Sequence, residues 1–183
     1  MSDTSPDEDR LTRLFEQYAV RLRLYARRQV GAAEADDLVA EAFVVALRRP
    51  EALPDGDAEV WPWLVGTARR LAANHRRRLA TRDRHWQEVV REHWRNGAGS
   101  PEVAVAERDA CLAALAALPA ADRELLLLVA WEGLTADQAA RVLDVRRGTL
   151  AVRLHRARRR LAALTDGPTD QPPTLLRPAA AQE

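Results

Sequence analysis

Residues 133–164 read GLTADQAARVLDVRRGTLAVRLHRARRRLAAL, and the pattern is a short helix, a tight turn and a longer helix studded with arginine. Thr135 stands where an N-cap belongs, and Gln138, three residues on, can reach back to complete a capping box, which predicts a helix over 136–143. Asp144 ends it, because aspartate is one of the few non-glycine residues that enter the left-handed region cheaply. A second helix opens near Arg147. Within it Leu150, Leu154, Ala157, Leu161 and Leu164 recur at spacings of four and three, a single apolar stripe for packing on the domain.

The stripe decides which face is wet. Arg153, Arg156 and Arg160 fall beside one another on a neighbouring face, while Arg146, Arg147 and Thr149 stand at the start of the helix. Over 146–160 the chain also carries Arg158 and Arg159, and no Asp or Glu. A major groove admits an α-helix, the first residues of a recognition helix reach base edges, and arginine pairs bidentately with guanine. Such a helix should seek phosphate. The plain alternative is a solvated charged face on a bundle helix. The helix-turn-helix pattern around the run, and the lack of acidic residues within it, favour DNA.

Net charge alone would not suggest a nucleic-acid binder, since the formal total is only +1. The sum hides a segregation: Asp3, Asp7, Glu8 and Asp9 make the N-terminus acidic, while the arginine blocks sit elsewhere. All 28 basic residues are Arg and none is Lys, which with the abundance of Ala reads mainly as a GC-rich coding sequence; the clustering of Arg carries the argument, not the count. The lone Cys111 excludes an internal disulfide framework and a cysteine-rich zinc site. Nothing resembles a signal peptide, and no apolar run approaches ~20 residues, so a cytoplasmic protein without membrane partners is expected.

The 183 residues divide into two small helical blocks around the turn-rich stretch Asn96, Gly97, Ala98, Gly99, Ser100, Pro101. No strand pattern appears. The expectation is an all-α protein with a first domain over 9–82, a linker over 83–107, a helix-turn-helix domain over 108–164 and a Pro-rich, disordered tail over 165–183.

Three helices are legible in the first domain. Leu11, Leu14, Phe15, Tyr18 and Leu22 mark one, ended by Gly31. A second is predicted over 36–49, with Leu38, Val39, Ala42, Phe43, Ala46 and Leu47 as its apolar face. Asp36, Asp37 and Glu41 would stand near its positive end, either as simple dipole stabilisation, worth a few tenths of a kcal/mol each, or as a docking surface for a basic partner. Pro50 closes that helix, and a loop over 50–57 precedes a third helix from about Ala58.

In this third helix Trp61, Leu64, Val65, Ala68, Leu71, Ala72 and Leu79 follow one stripe, so Trp61 is a core residue. Trp63 lies about 200° from it at about 100° per residue, on a face with Thr67, Arg70, Asn74, Arg77 and Arg78. An aromatic beside arginines is the composition of a single-stranded nucleic-acid platform, in which bases stack on rings and guanidiniums hold phosphates. A half-buried Trp packed on a neighbouring element fits the same spacing.

Residues 115–164 resemble the C-terminal domain of bacterial extracytoplasmic-function (ECF) sigma factors. Leu118-Pro119, Arg123, Glu132-Gly133-Leu134, Gly148-Thr149 and the run RLHRAR over 153–158 carry that likeness. The first domain is similar to the same family, with Asp37-Leu38-Val39 and Glu41-Ala42-Phe43 looking like its polymerase-docking helix and Trp63-Leu64 followed by Ala68-Arg69 like its promoter-melting helix. The resemblance covers roughly residues 11–164. It implies that Asp36, Asp37, Leu38, Glu41 and Phe43 bind the β′ clamp helices of core RNA polymerase. Trp63, Arg70, Asn74, Arg77 and Arg78, with the loop over 51–57, would then capture a flipped minus-ten base. The second domain, through Arg146, Arg147, Thr149, Arg153 and Arg156, would read the minus-thirty-five element beside the β flap. Base capture costs a few kcal/mol of unstacking, which stacking at ~1–3 kcal/mol per base can offset. It implies no cofactor, no metal and no catalysis by this chain, and an anti-sigma protein as a possible further partner.

The chain departs from the family where Arg70 replaces the usual Asn, Asn74 the frequent Asp, and Asp144 the usual turn Gly. His75 is an unexpected polar side chain, and Ala151 and Val152 stand in place of a polar pair. In the linker Trp86, Val89, Val90 and Trp94 read as a short amphipathic helix. His85, His93 and Cys111 do not make a metal site, because the spacing and ligand count are wrong. A stand-alone helix-turn-helix regulator would leave the first domain without a purpose. A sigma-like decoy for an anti-sigma protein would leave the arginine density unexplained. No phosphate loop, carboxylate pair or Ser/His/Asp spacing points to an enzyme.

Overall fold

The computed structural model describes residues 6–78 and 103–165, and the chain divides into two compact units. The predicted linker helix, with Trp86 and Trp94, and the tail beyond 165 lie outside the described residues. Among those described there are seven α-helices and no strand.

The first unit holds α1 (Pro6–Val30), α2 (Ala32–Arg48) and α3 (Asp57–Arg78). Apolar positions at helical spacing put Leu14, Tyr18, Leu22 and Tyr25 of α1 against Leu38, Ala42 and Ala46 of α2 and Val60, Leu64, Val65 and Ala68 of α3. Fully burying one such leucine is worth about 1.5–3 kcal/mol. Tyr18 stacks on Trp61 at 5.9 Å, and the Arg21 guanidinium lies 4.0 Å from the Trp61 ring centroid, so Trp61 is the core residue its periodicity predicts. Burial raises the Tyr18 hydroxyl pKa, the nearby Asp57 adds to the rise, and Arg21 opposes it.

Gly31 alone joins α1 to α2. Its φ of 93° is in the left-handed region, and its N–H donates to the Arg27 carbonyl at 2.9 Å. Because a single glycine reverses the chain, α2 begins at Ala32, four residues before the predicted start. Glu34 therefore occupies the first turn, and Asp36, Asp37 and Glu41 lie beyond the reach of the dipole, which falls off within one turn. Between α2 and α3 a 3-10 turn, Pro50–Ala52, leads to the buried Leu53. Arg10 of α1 pins this loop by donating to the Pro54 carbonyl, with Asp55 3.7 Å away.

The second unit holds α4 (Val103–Ala117), α5 (Ala120–Ala130), α6 (Ala136–Leu143) and α7 (Arg147–Leu164). Its core gathers Leu115, Leu118, Leu125, Leu128, Leu134, Ala139, Leu150, Leu154, Ala157 and Leu161. Arg123 of α5 donates from Nη1 to the Ala116 carbonyl at 3.1 Å, satisfying one of the orphan acceptors at the end of α4. Gly133 at φ 67° closes α5, where the Leu134 N–H reaches back to the Leu128 carbonyl at 3.0 Å.

Candidate nucleic-acid and polymerase interfaces

The helix-turn-helix assembles from its local signals. Thr135 caps α6: its Oγ1 accepts from the Gln138 N–H at 3.2 Å, and the Gln138 Oε1 accepts from the Thr135 N–H at 2.9 Å. Asp144 adopts φ 54° and ψ 50°, and the Val145 N–H returns to the Ala140 carbonyl at 3.0 Å. Arg146 is the N-cap of α7, so Arg147, Gly148 and Thr149 form its first turn.

Leu150, Leu154, Ala157 and Leu161 are buried, and Thr149, Val152, Arg156 and Arg159 face outward. Leu164, expected to end the stripe, is about half exposed at the fraying terminus. Arg153 lies half-buried on the flank of the outward face and Arg146 is exposed. Among the described residues no carboxylate pairs with Arg146, Arg153, Arg156 or Arg159. Two other arginines are committed. Arg147 Nε lies 2.9 Å from Asp137 Oδ1 of α6, which braces the start of α7. Arg160, expected on the arginine face, instead pairs with the buried Asp122 of α5. The arginine run contains no acid, but the partner arrives from another helix.

In the first unit Trp63 is half-buried, and Arg70 and Asn74 are exposed on α3. Thr67, expected on this wet face, is buried, and its hydroxyl accepts from Arg70 Nη2 at 3.1 Å. Trp63 thus sits at the edge between core and solvent. Arg77 and Arg78 belong to the last turn of α3, and their side chains lie outside the described residues.

The expected docking set on α2 splits in two. Leu38 is 0% and Phe43 7% exposed, so both are core residues and neither can be a surface contact. Phe43 meets Phe15 of α1 edge-on at 4.9 Å. Asp36, Asp37 and Glu41 are exposed. Asp36 pairs with Arg23 Nε at 2.7 Å, and Glu41 accepts from, or bridges to, His75 Nε2 of α3 at 3.1 Å. His75 Nδ1 lies 3.9 Å from Glu34. Asp37, Glu41, Val44 and Arg48, at i, i+4, i+7 and i+11, form one exposed line. Val44, off the predicted apolar face, is exposed, whereas Leu47, expected on that face, is 54% exposed at the end of α2.

No group of three or more His, Cys, Asp or Glu among the described residues is placed to hold a metal ion, and His85 and His93 lie outside them. No helix among the described residues is long and apolar enough to cross a membrane.

Residues 14–82 match the family model of Sigma-70 region 2, and residues 108–161 that of Sigma-70 region 4. The chain is 32% identical over 154 residues to the ECF RNA polymerase sigma factor SigL of Mycobacterium tuberculosis, covering 81% of this chain and 84% of that one. It is 32% identical over 169 residues to the ECF RNA polymerase sigma factor BldN of Streptomyces coelicolor, covering 86% of this chain and 61% of the relative. Among solved structures, the fold is similar to the sigma factor RpoE of Bartonella quintana in complex with the anti-sigma factor NepR. There the TM-score is 0.58 at 22% identity, over 87% of this chain and 98% of that one. It is also similar to CnrH in complex with the cytosolic domain of CnrY, with TM-score 0.52 at 22% identity, over 85% and 87% of the two chains. Two three-to-four-helix units in this order, the second a helix-turn-helix with an arginine-bearing outer face, and matches to both sigma regions along one chain lead to one conclusion: this protein belongs to the ECF sigma factors of bacterial RNA polymerase.

Proposed function

We propose that this chain binds core RNA polymerase through its first unit and directs initiation at promoters read by both units, acting in the cytoplasm. The observation that carries the reading is the outer face of α7, where Thr149 and Arg156 are exposed away from the buried stripe, Arg153 lies on the flank of that face and Arg146 stands at the N-cap. Their cations would hold phosphates and base edges of the minus-thirty-five element, with Arg147 both bracing α6 and lying near the duplex.

The domain bounds follow as 9–82 for docking and minus-ten recognition, 83–107 for the linker and 108–164 for minus-thirty-five recognition. On α2 the exposed line of Asp37, Glu41 and Val44 would meet the β′ clamp helices, Asp36 would add charge, and Leu38 and Phe43 would hold that helix on the core. On α3, Trp63, Arg70, Asn74, Arg77 and Arg78 would engage the melted strand, with Trp63 as the stacking ring. The second unit would rest beside the β flap. An anti-sigma protein is the expected further partner, since the sigma factor RpoE of Bartonella quintana is seen bound to one. The chain supplies differential binding to the open promoter, and bond making stays with the polymerase.

The test is run-off transcription from fragmented genomic DNA with core RNA polymerase, with and without the protein. Discrete transcripts that require it are the expected result. Tight DNA binding with no affinity for core would overturn the reading in favour of a stand-alone regulator.

A further inference from the structure

Val152 is 51% exposed, on the side of α7 opposite Leu150, Leu154, Ala157 and Leu161. Its neighbours on that side are Thr149 and Arg156, one turn before and one turn after, and Arg159. A β-branched apolar side chain in the middle of a cationic outer face contributes nothing to the core and little to solubility. It also has a lower helix propensity than the alanine beside it. One turn earlier on the same side, Gly148 carries no side chain, and a Cβ placed there would meet nothing within 4 Å. Packing inside the protein therefore does not require glycine at 148. The outer face is flat at Gly148, apolar at Val152 and cationic around both.

In the major groove, the one apolar group that a base edge offers is the 5-methyl of thymine, and side chains of this kind contact it. We infer that Val152 is a specificity-determining residue that packs on the 5-methyl group of a thymine in the duplex read by α7, while Gly148 lets the first turn approach closely enough for that contact. The inference rests on the promoter-reading role above and adds a base class to it. Arginine contacts favour guanine and phosphate, whereas an apolar side chain favours the thymine methyl, and Val152 is the exposed aliphatic residue larger than alanine on the outer side of α7.

The experiment uses the full chain assembled with core RNA polymerase. Promoter duplexes are enriched from a randomised library, and each upstream dT of the enriched sequence, on either strand, is replaced singly by dU, which removes the methyl and leaves pairing intact. One such replacement is expected to lower occupancy about fourfold, the worth of one methyl group withdrawn from apolar contact. With Val152→Ala the dT duplex should bind about as weakly as the dU duplex does with the original protein, and the dU replacement should have no further effect. Val152→Ile should keep the preference. If every dU replacement is neutral while Arg153→Ala with Arg156→Ala still lowers occupancy, the Val152 inference fails and promoter reading by α7 stands. If no sequence is enriched, both fail.

Discussion

Arg160, near the end of α7, holds the buried carboxylate of Asp122 in the first turn of α5. The Asp122 side chain is 11% exposed and that of Arg160 56%, so the pair is half open to water. It joins two helices of the second unit and, with the Arg147–Asp137 pair, separates the arginines of α7 that brace the fold from those that remain for a ligand. Arg160→Ala removes the cation facing a buried carboxylate and should destabilise the second unit by about 1–2 kcal/mol, at the modest end because Arg160 is partly solvated. Loss of hydrogen-exchange protection in α5 and α7 reads it. Unchanged protection would show that the pair is not structural.

Arg153 and Arg156 should behave in the opposite way. Arg153→Ala with Arg156→Ala leaves the core stripe untouched, so protection should hold while minus-thirty-five-dependent transcription is abolished. The slope of log affinity against log salt should fall by about one for each phosphate that is no longer neutralised. Core binding should persist, and its loss in this double variant would contradict the division of roles.

Reversal of charge on α2 tests docking. Asp37→Arg with Glu41→Arg should weaken affinity for core polymerase by tenfold or more, because both side chains are exposed and the change turns attraction into repulsion across one face. DNA binding by the second unit should not change. Glu41→Arg also removes the carboxylate from His75, so Asp37→Arg alone, which touches no such pair, separates docking from packing.

Asp144 makes the turn at φ 54°. Asp144→Val should cost about 1–2 kcal/mol, since a β-branched residue is disfavoured there, whereas Asp144→Gly should be close to neutral. Thermal unfolding of the two variants measures the difference. Equal losses would mean that the Asp side chain, and not the backbone, holds the turn.

Cys111 is buried in α4, and burial raises its thiol above the ordinary value near 9.0. A thiol whose folded pKa is raised contributes stability that is intact below pH 9.0 and is lost as pH climbs through the folded value. The folded protein should thus resist thiol-directed labelling at pH 8 and become reactive on unfolding, and urea midpoints should fall between pH 9 and pH 10 less steeply in Cys111→Ala. Rapid labelling of the folded chain at pH 8 would refute this.

The helix-turn-helix is legible in the sequence almost to the residue. Thr135 and Gln138 close their capping box, Asp144 turns left-handed, and α6 spans Ala136–Leu143 as spacing predicts. The start of α2 is not legible, because a pattern of apolar residues marks only the buried face and says nothing of Ala32–Ala33, two good helix formers that follow the glycine turn directly. Leu38 and Phe43 match a docking motif, yet both belong to the apolar stripe that periodicity marks and are buried with it.

The features legible in the chain alone are local: an all-helical protein, its caps and turns, and the buried stripe of α7, because those depend on neighbours three or four residues apart. Which polar groups are already spoken for was settled by the packing of the helices. Arg160 meets Asp122 across 38 residues of chain and His75 meets Glu41 across 34, pairings that no periodicity encodes because they arise only when packed helices bring distant side chains within hydrogen-bond reach.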